Sequence, residues 1–116
     1  MSQTISVTEF HQLGEGVSLI VVRTPVEFQD VHAVPARNVP LDTLTAVRLA
    51  AEVERAGERP LYVICKMGGR AARAIQKFQQ AGFDNVVNVT GGTDAWVQAD
   101  LPVLRGRPMM SLERQV

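Results

Sequence analysis

A chain of 116 residues with 46% hydrophobic and 21% charged residues is long enough to bury one core and too apolar to be intrinsically disordered. Twelve Lys and Arg against 12 Asp and Glu leave no overall field to attract nucleic acid or anionic lipid, so electrostatic specialisation must be local. One cysteine excludes an internal disulfide and, with two histidines, an ordinary structural zinc site, which predicts an intracellular chain with a free thiol and no metal.

No hydrophobic run reaches membrane-spanning length, and Met1-Ser-Gln-Thr-Ile5 lacks the basic and apolar regions of a signal peptide, so a soluble chain is expected. Ser6 and Glu9 have capping-box spacing for a short helix through about Leu13, ended by Gly14 and Gly16. Residues 17–22 are a β-branched and Leu run suited to a strand buried on both faces, as in a parallel sheet. Thr24 and Glu27 repeat the capping box with Pro25 at the first helical position. Strand-to-helix turns at this spacing predict an α/β protein.

Between Gln29 and Leu41 the pattern is weaker; Pro35 and Pro40 break any helix, and residues 37–39 suffice for a short strand. His32 lies here, and a lone loop histidine is by default a hydrogen-bonding structural group. Asp42 is placed to cap a helix to about Ala56, with Leu44, Val47, Ala51 and Glu54 on one mostly apolar face and Gly57 as its stop. Residues 61–64 form the second buried strand. Gly68 and Gly69 then allow a tight loop before a helix over 70–81 that buries Ala71, Ala74, Ile75, Phe78 and Ala81 and ends at Gly82. Residues 86–89 make a further strand, and Thr90-Gly-Gly-Thr-Asp-Ala-Trp96 turns into a short helix. No internal repeat or low-complexity segment suggests a second domain, so residues 1–104 are one domain and 105–116 a C-terminal tail.

Cys65 stands at the carboxyl end of the second buried strand, where open parallel sheets place their ligands. A lone cysteine is by default a packing residue, but this setting argues for chemistry. Gly68 and Gly69 remove side chains that would keep the backbone from curling around a bound atom, so loop N–H groups and the helix dipole would converge on the sulfur. That environment favours thiolate over thiol, lowering a cysteine pKa from about 8.5 into the range of roughly 3.5–7.5. It would equally stabilise the outer sulfur of a persulfide on Cys65. No Asp or Glu occurs between Arg59 and Phe83, while Arg59, Lys66, Arg70, Arg73 and Lys77 are basic, so anionic substrates are expected at this loop.

Cys65-Lys-Met-Gly-Gly-Arg70 resembles the active-site loop of rhodanese-like sulfurtransferase domains, with cysteine and arginine at the ends of a six-residue loop. Val21-Val-Arg-Thr-Pro-Val-Glu-Phe28, followed by His32, Ala36, Asn38 and Pro40, resembles the first family signature. The segment from Thr90 to Trp96, with Leu101-Pro-Val103, resembles the last, so the resemblance spans nearly the whole chain.

The resemblance implies a three-layer sandwich, with a central, mostly parallel sheet flanked by helices. It implies Cys65 as the residue that takes up sulfane sulfur, no cofactor, and a substrate-binding loop of Lys66, Met67, Gly68, Gly69 and Arg70. The partners implied are a small anionic sulfur donor such as thiosulfate, or a persulfide, and a cyanide or thiol acceptor. His32 and Trp96 are implied at the pocket rim, though core is the default for a single Trp. The sequence departs from the family where an acid usually replaces Val21, a glycine Val31, and Pro-Gly the pair Val34-Pro35, positions that support the pocket without carrying sulfur.

Two rival activities follow from the same fold. Related phosphatases and arsenate reductases have one more residue between cysteine and arginine, whereas four intervene here, which suits a single sulfur. A regulatory module sensing oxidants or nitric oxide through Cys65 is the non-enzymatic alternative. Residues 105–116 resemble the junction that, in one bacterial subgroup, joins such a domain to membrane helices. Its basic residues imply a cytoplasmic domain, tethered at the inner membrane's cytoplasmic face if the chain continues beyond Val116.

Overall fold

A computed structural model describes residues 3–14, 16–66 and 69–106. In chain order the elements are β1 (Gln3–Ile5), α1 (Val7–His11), β2 (Ser18–Val21), α2 (Pro25–Asp30), β3 (Val31–Ala33) and β4 (Arg37–Asn38). A 3-10 turn (Leu41–Thr43) precedes α3 (Ala46–Ala56), β5 (Leu61–Ile64), α4 (Gly69–Gln80), β6 (Val86–Val89), α5 (Gly92–Gln98) and β7 (Val103–Arg105). Five strands form one sheet in the order β1-β6-β5-β2-β4, every pair parallel.

Side-chain alternation along the central strands makes the layers. Ile20, Val22, Leu61, Val63, Cys65 and Val86 point to one face and pack with Leu49 of α3 and Ala71, Ala74, Ile75 and Phe78 of α4. Leu19, Val21, Tyr62, Ile64, Val87 and Val89 point to the other and pack with Val7 and Phe10 of α1 and Trp96 of α5. The expected helix-sheet-helix sandwich is therefore present, and Cys65 continues the α4 side of the alternation.

Both capping boxes form. Ser6 Oγ accepts from Glu9 N–H, Thr24 Oγ1 accepts from Glu27 N–H, and each glutamate accepts in return from its cap residue's N–H.

Four expectations are corrected. Asp42 does not cap α3. It lies in the 3-10 turn, where the Thr43 hydroxyl donates to Pro40 O (2.7 Å), and Thr45 caps the helix by accepting from Arg48 N–H. The later start rotates the assigned face: Leu49 and Glu52 are buried, whereas Val47 is 80% exposed. Glu52 is kept charged inside by Arg37 (2.7 Å) and Arg48 (2.9 Å), whose hydrogen bonds outweigh burial and lower its pKa. Ala81 is exposed, because α4 ends at Gln80 and Gly82 turns the chain at φ +92°. Finally, β1, β3 and β7 were not anticipated; β3 pairs antiparallel with β7 in a separate two-stranded sheet whose last residue, Arg105, falls within the expected tail. The remaining tail residues, 107–116, lie outside the described residues.

Val47→Lys is therefore expected to change stability by less than about 0.5 kcal/mol, read from denaturant unfolding; a larger loss would restore the original face. Among the described residues, no helix is long and apolar enough to cross a membrane.

Candidate active site

Cys65 follows β5 directly, so the strand fixes where its side chain points. The sulfur is directed at the first turn of α4, where Ala71 N–H donates to Sγ (3.4 Å), and the residue is only 3% exposed. The helix dipole and this N–H bring positive potential to the sulfur. Gly69 already belongs to α4, and a Cβ added there would meet nothing within 4 Å. Met67 and Gly68, expected as loop ligands, lie outside the described residues.

The other wall comes from the start of α5. Thr93 N–H and hydroxyl both donate to Cys65 O (2.7 and 3.2 Å), and Asp94 N–H donates to Lys66 O (3.1 Å). Only glycine fits at position 92, because a Cβ would sit 2.4 Å from both Cys65 O and Lys66 O. Gly92 and Thr93 thus clamp the backbone that carries the thiol. Their motif was legible as a turn, but its contact with Cys65 depends on β5 and β6 being adjacent.

The acid-free stretch of sequence is not acid-free in space. Arg70 makes a two-point ion pair with Glu27 of α2, Nη1 to Oε1 at 2.5 Å and Nη2 to Oε2 at 3.2 Å. Glu27 is held in turn by the Thr24 amide and hydroxyl (3.0 and 3.1 Å). Arg70, and then Thr24, hold the Glu27 carboxyl at about 2, below the usual 4.5. The Glu27 hydrogen bonds also raise the Arg70 pKa, and the charge of Cys65 adds to them. Lys66 Nζ lies 3.7 Å from Asp94 Oδ2, both exposed. Arg59 is at the opposite end of β5, where it donates to Gly16 O (2.9 Å), and adds nothing to the loop. Sequence reading found Glu27 as a cap and missed it as the partner of Arg70, 43 positions away.

Beside Arg70 a cavity of about 200 Å³ opens between the end of β2, the 3-10 turn and α4. Neither His32 nor Trp96 lines it. In β3, His32 is stacked on Phe28 at 3.6 Å, and its Nδ1–H donates to Phe28 O (2.7 Å), the structural role that is the default for such a residue. Trp96 is fully buried in the α1–α5 layer, with its indole N–H donating to Pro102 O (2.8 Å).

The shift of Glu27 fixes a pH dependence. Because its folded pKa lies below the unfolded value, the pairing stabilises fully above about pH 4.5 and is lost as pH falls toward 2. Glu27→Gln is expected to unfold more readily than the parent chain at neutral pH, with the gap closing across that window. Parallel acid titrations of the two chains followed by circular dichroism check this; a gap independent of pH would contradict it.

The family model for the rhodanese-like domain matches residues 6–99. An uncharacterized protein of Synechocystis is 30% identical over 103 residues, covering 88% of this chain and 55% of its own length. The chain therefore spans about half of that relative. A chloroplastic protein of Arabidopsis thaliana named thiosulfate sulfurtransferase 16 is 32% identical over 108 residues, covering 85% of this chain and 90% of its own. The crystal structure of a rhodanese-related protein from Thermoplasma volcanium superposes with a TM-score of 0.71 at 24% identity, over 88% of this chain and 97% of that one. With residues 6–99 matched and the parallel sheet in place, the chain belongs to the rhodanese-like domain family.

Proposed function

We propose that the protein is a sulfurtransferase that moves sulfane sulfur from thiosulfate or a persulfide donor to cyanide or a thiol acceptor through a persulfide on Cys65. The observation that carries this reading is the placement of the chain's one cysteine at the end of β5, with its sulfur on the first turn of α4. The name of the Arabidopsis relative supports it.

In the first step the Cys65 thiolate attacks the outer sulfur of thiosulfate. The S–S bond of the donor breaks, sulfite leaves with the electron pair, and Cys65–S–S⁻ remains. In the second, cyanide attacks the outer sulfur; a C–S bond forms, the Cys65 disulfur bond breaks, and thiocyanate leaves while the thiolate is restored. A thiol acceptor takes the sulfur in the same way and departs as its persulfide.

Lys66 and Arg70 offset the charge of an anionic donor. Glu27 keeps the Arg70 guanidinium in place between turnovers, and Gly92 with Thr93 holds the Cys65 backbone fixed. Four residues between Cys65 and Arg70 favour this reading over phosphatase or arsenate chemistry.

The test is intact mass after incubation with thiosulfate, then thiocyanate formation on adding cyanide. A gain of one sulfur that cyanide removes is expected. No gain would overturn the proposal, and a modification that no acceptor discharges would replace transfer with the sensing role.

A further inference from the structure

The cavity beside Arg70 has walls that the transfer of a bare sulfur atom does not use. Val22, Pro40 and Leu41 supply apolar surface, and Arg23 and Arg73 join Arg70 as cations. Arg23 is only 7% exposed, and among the described residues its Nε has no hydrogen-bond partner; the nearest acid, Glu27 Oε1, is 3.9 Å away. A buried guanidinium N–H left without an acceptor is costly, and a ligand oxygen would satisfy it.

Charge around the cavity does not cancel. Two carboxylates, Glu27 and Asp42, face three guanidiniums. Glu27 is committed to Arg70 and Arg23, while Arg73 has no ion pair with any described acid. One positive charge is left over, on a side chain three positions along α4 from Arg70 and on the same helix face. Ala71, between them in sequence, touches the Cys65 sulfur. Arg70 lines the cavity and its neighbour Ala71 donates to the Cys65 sulfur, so the cavity opens beside the turn of α4 that holds the reacting atom, although Cys65 itself is not part of its wall. At about 200 Å³ the cavity is below the roughly 300–1,000 Å³ of sites for drug-sized molecules, so the ligand is small.

From this cavity we infer that the acceptor is a small thiol bearing a single carboxylate two or three carbons from its sulfur, with the carboxylate bound by Arg73 and Arg23 and the apolar wall taking the carbons. The inference rests on the proposed sulfur transfer and names its acceptor. In the discharge step the acceptor thiolate attacks the outer sulfur of Cys65–S–S⁻; a new S–S bond forms on the acceptor, the Cys65 disulfur bond breaks, and Cys65 regains its thiolate.

The experiment loads the protein with thiosulfate, removes excess donor, and measures loss of the added sulfur by intact mass with 3-mercaptopropionate and with 2-mercaptoethanol. At equal concentrations of thiolate the carboxylate acceptor is expected to discharge the protein about tenfold faster, the difference made by one charge-assisted contact. In Arg73→Gln the ratio is expected to fall close to one, and Arg73→Lys to restore part of it. Each variant's rate with the neutral thiol is its own reference, so a general loss of activity does not mimic the effect. Cyanide discharge of the parent chain reports separately on sulfur transfer.

Binding of the two thiols to Cys65→Ser, followed by ligand-observed nuclear magnetic resonance, tests the cavity without turnover. Preference for 3-mercaptopropionate that disappears when Arg73→Gln is added supports the site. Equal handling of the two thiols in both measurements, or a preference untouched by Arg73→Gln, overturns the inference even where cyanide discharges the protein normally.

Discussion

Gly92→Ala is expected to lower stability by at least about 3 kcal/mol and to cut turnover in the chains that still fold. Two independent costs meet at this residue. Its φ is +62°, a conformation that side chains disfavour, and such strain costs about 1–3 kcal/mol. The added Cβ would also stand 2.4 Å from Cys65 O and Lys66 O, which are backbone atoms and cannot swing aside. Those two oxygens are the acceptors for Thr93 and Asp94 N–H, so relief of the clash pulls apart the hydrogen bonds that fix the nucleophile's backbone. A fall in thermal midpoint of more than about 10 °C is the expected reading for a domain of this size. Gly69→Ala supplies the contrast: nothing crowds its Cβ, the residue is helical, and stability should stay level or rise by about 0.5–1 kcal/mol. Equal effects at the two positions would refute the clamp.

Legibility followed the range of the physics. The continuous burial of Leu61 to Ile64, the capping boxes at Ser6 and Thr24, and the placement of Cys65 are local, and all could be read from neighbouring residues. The Thr45 cap was missed because Arg48, at the third helical position, cannot return the reciprocal hydrogen bond that marks a capping box. Leu44, expected within the helix, then stands outside it, and the face was read out of phase. Strands β3 and β7, of three residues each, are too short to show a period, and pairing alone makes them a sheet. At the site, the loop cations were legible but their acids were not. Glu27 reaches Arg70 because β2 and β5 are adjacent, so the loops after them open at one end of the sheet. The same adjacency gives Arg70 an acid while Arg73 has no ion pair among the described residues, a distinction that a run of bases in sequence cannot make.

Cys65→Ser is expected to abolish sulfur uptake from thiosulfate and to lower thiocyanate formation at least about a thousandfold, while the fold persists. The hydroxyl is close in size to the thiol and can accept the Ala71 N–H that the sulfur accepts now, so packing of this buried position changes little. What is lost is chemical: an alcohol is not appreciably ionised at neutral pH, and its oxygen has no persulfide to form. The result is sharper than in most thiol enzymes because the chain holds a single cysteine, and no neighbouring thiol can take over. Intact mass with thiosulfate, thiocyanate release with cyanide, and thermal unfolding of both chains form the comparison. Turnover that survived with no sulfur on the protein would mean direct transfer between donor and acceptor bound together. The pocket beside Arg70 would then serve by positioning alone, and Cys65 would be a packing residue at the end of β5.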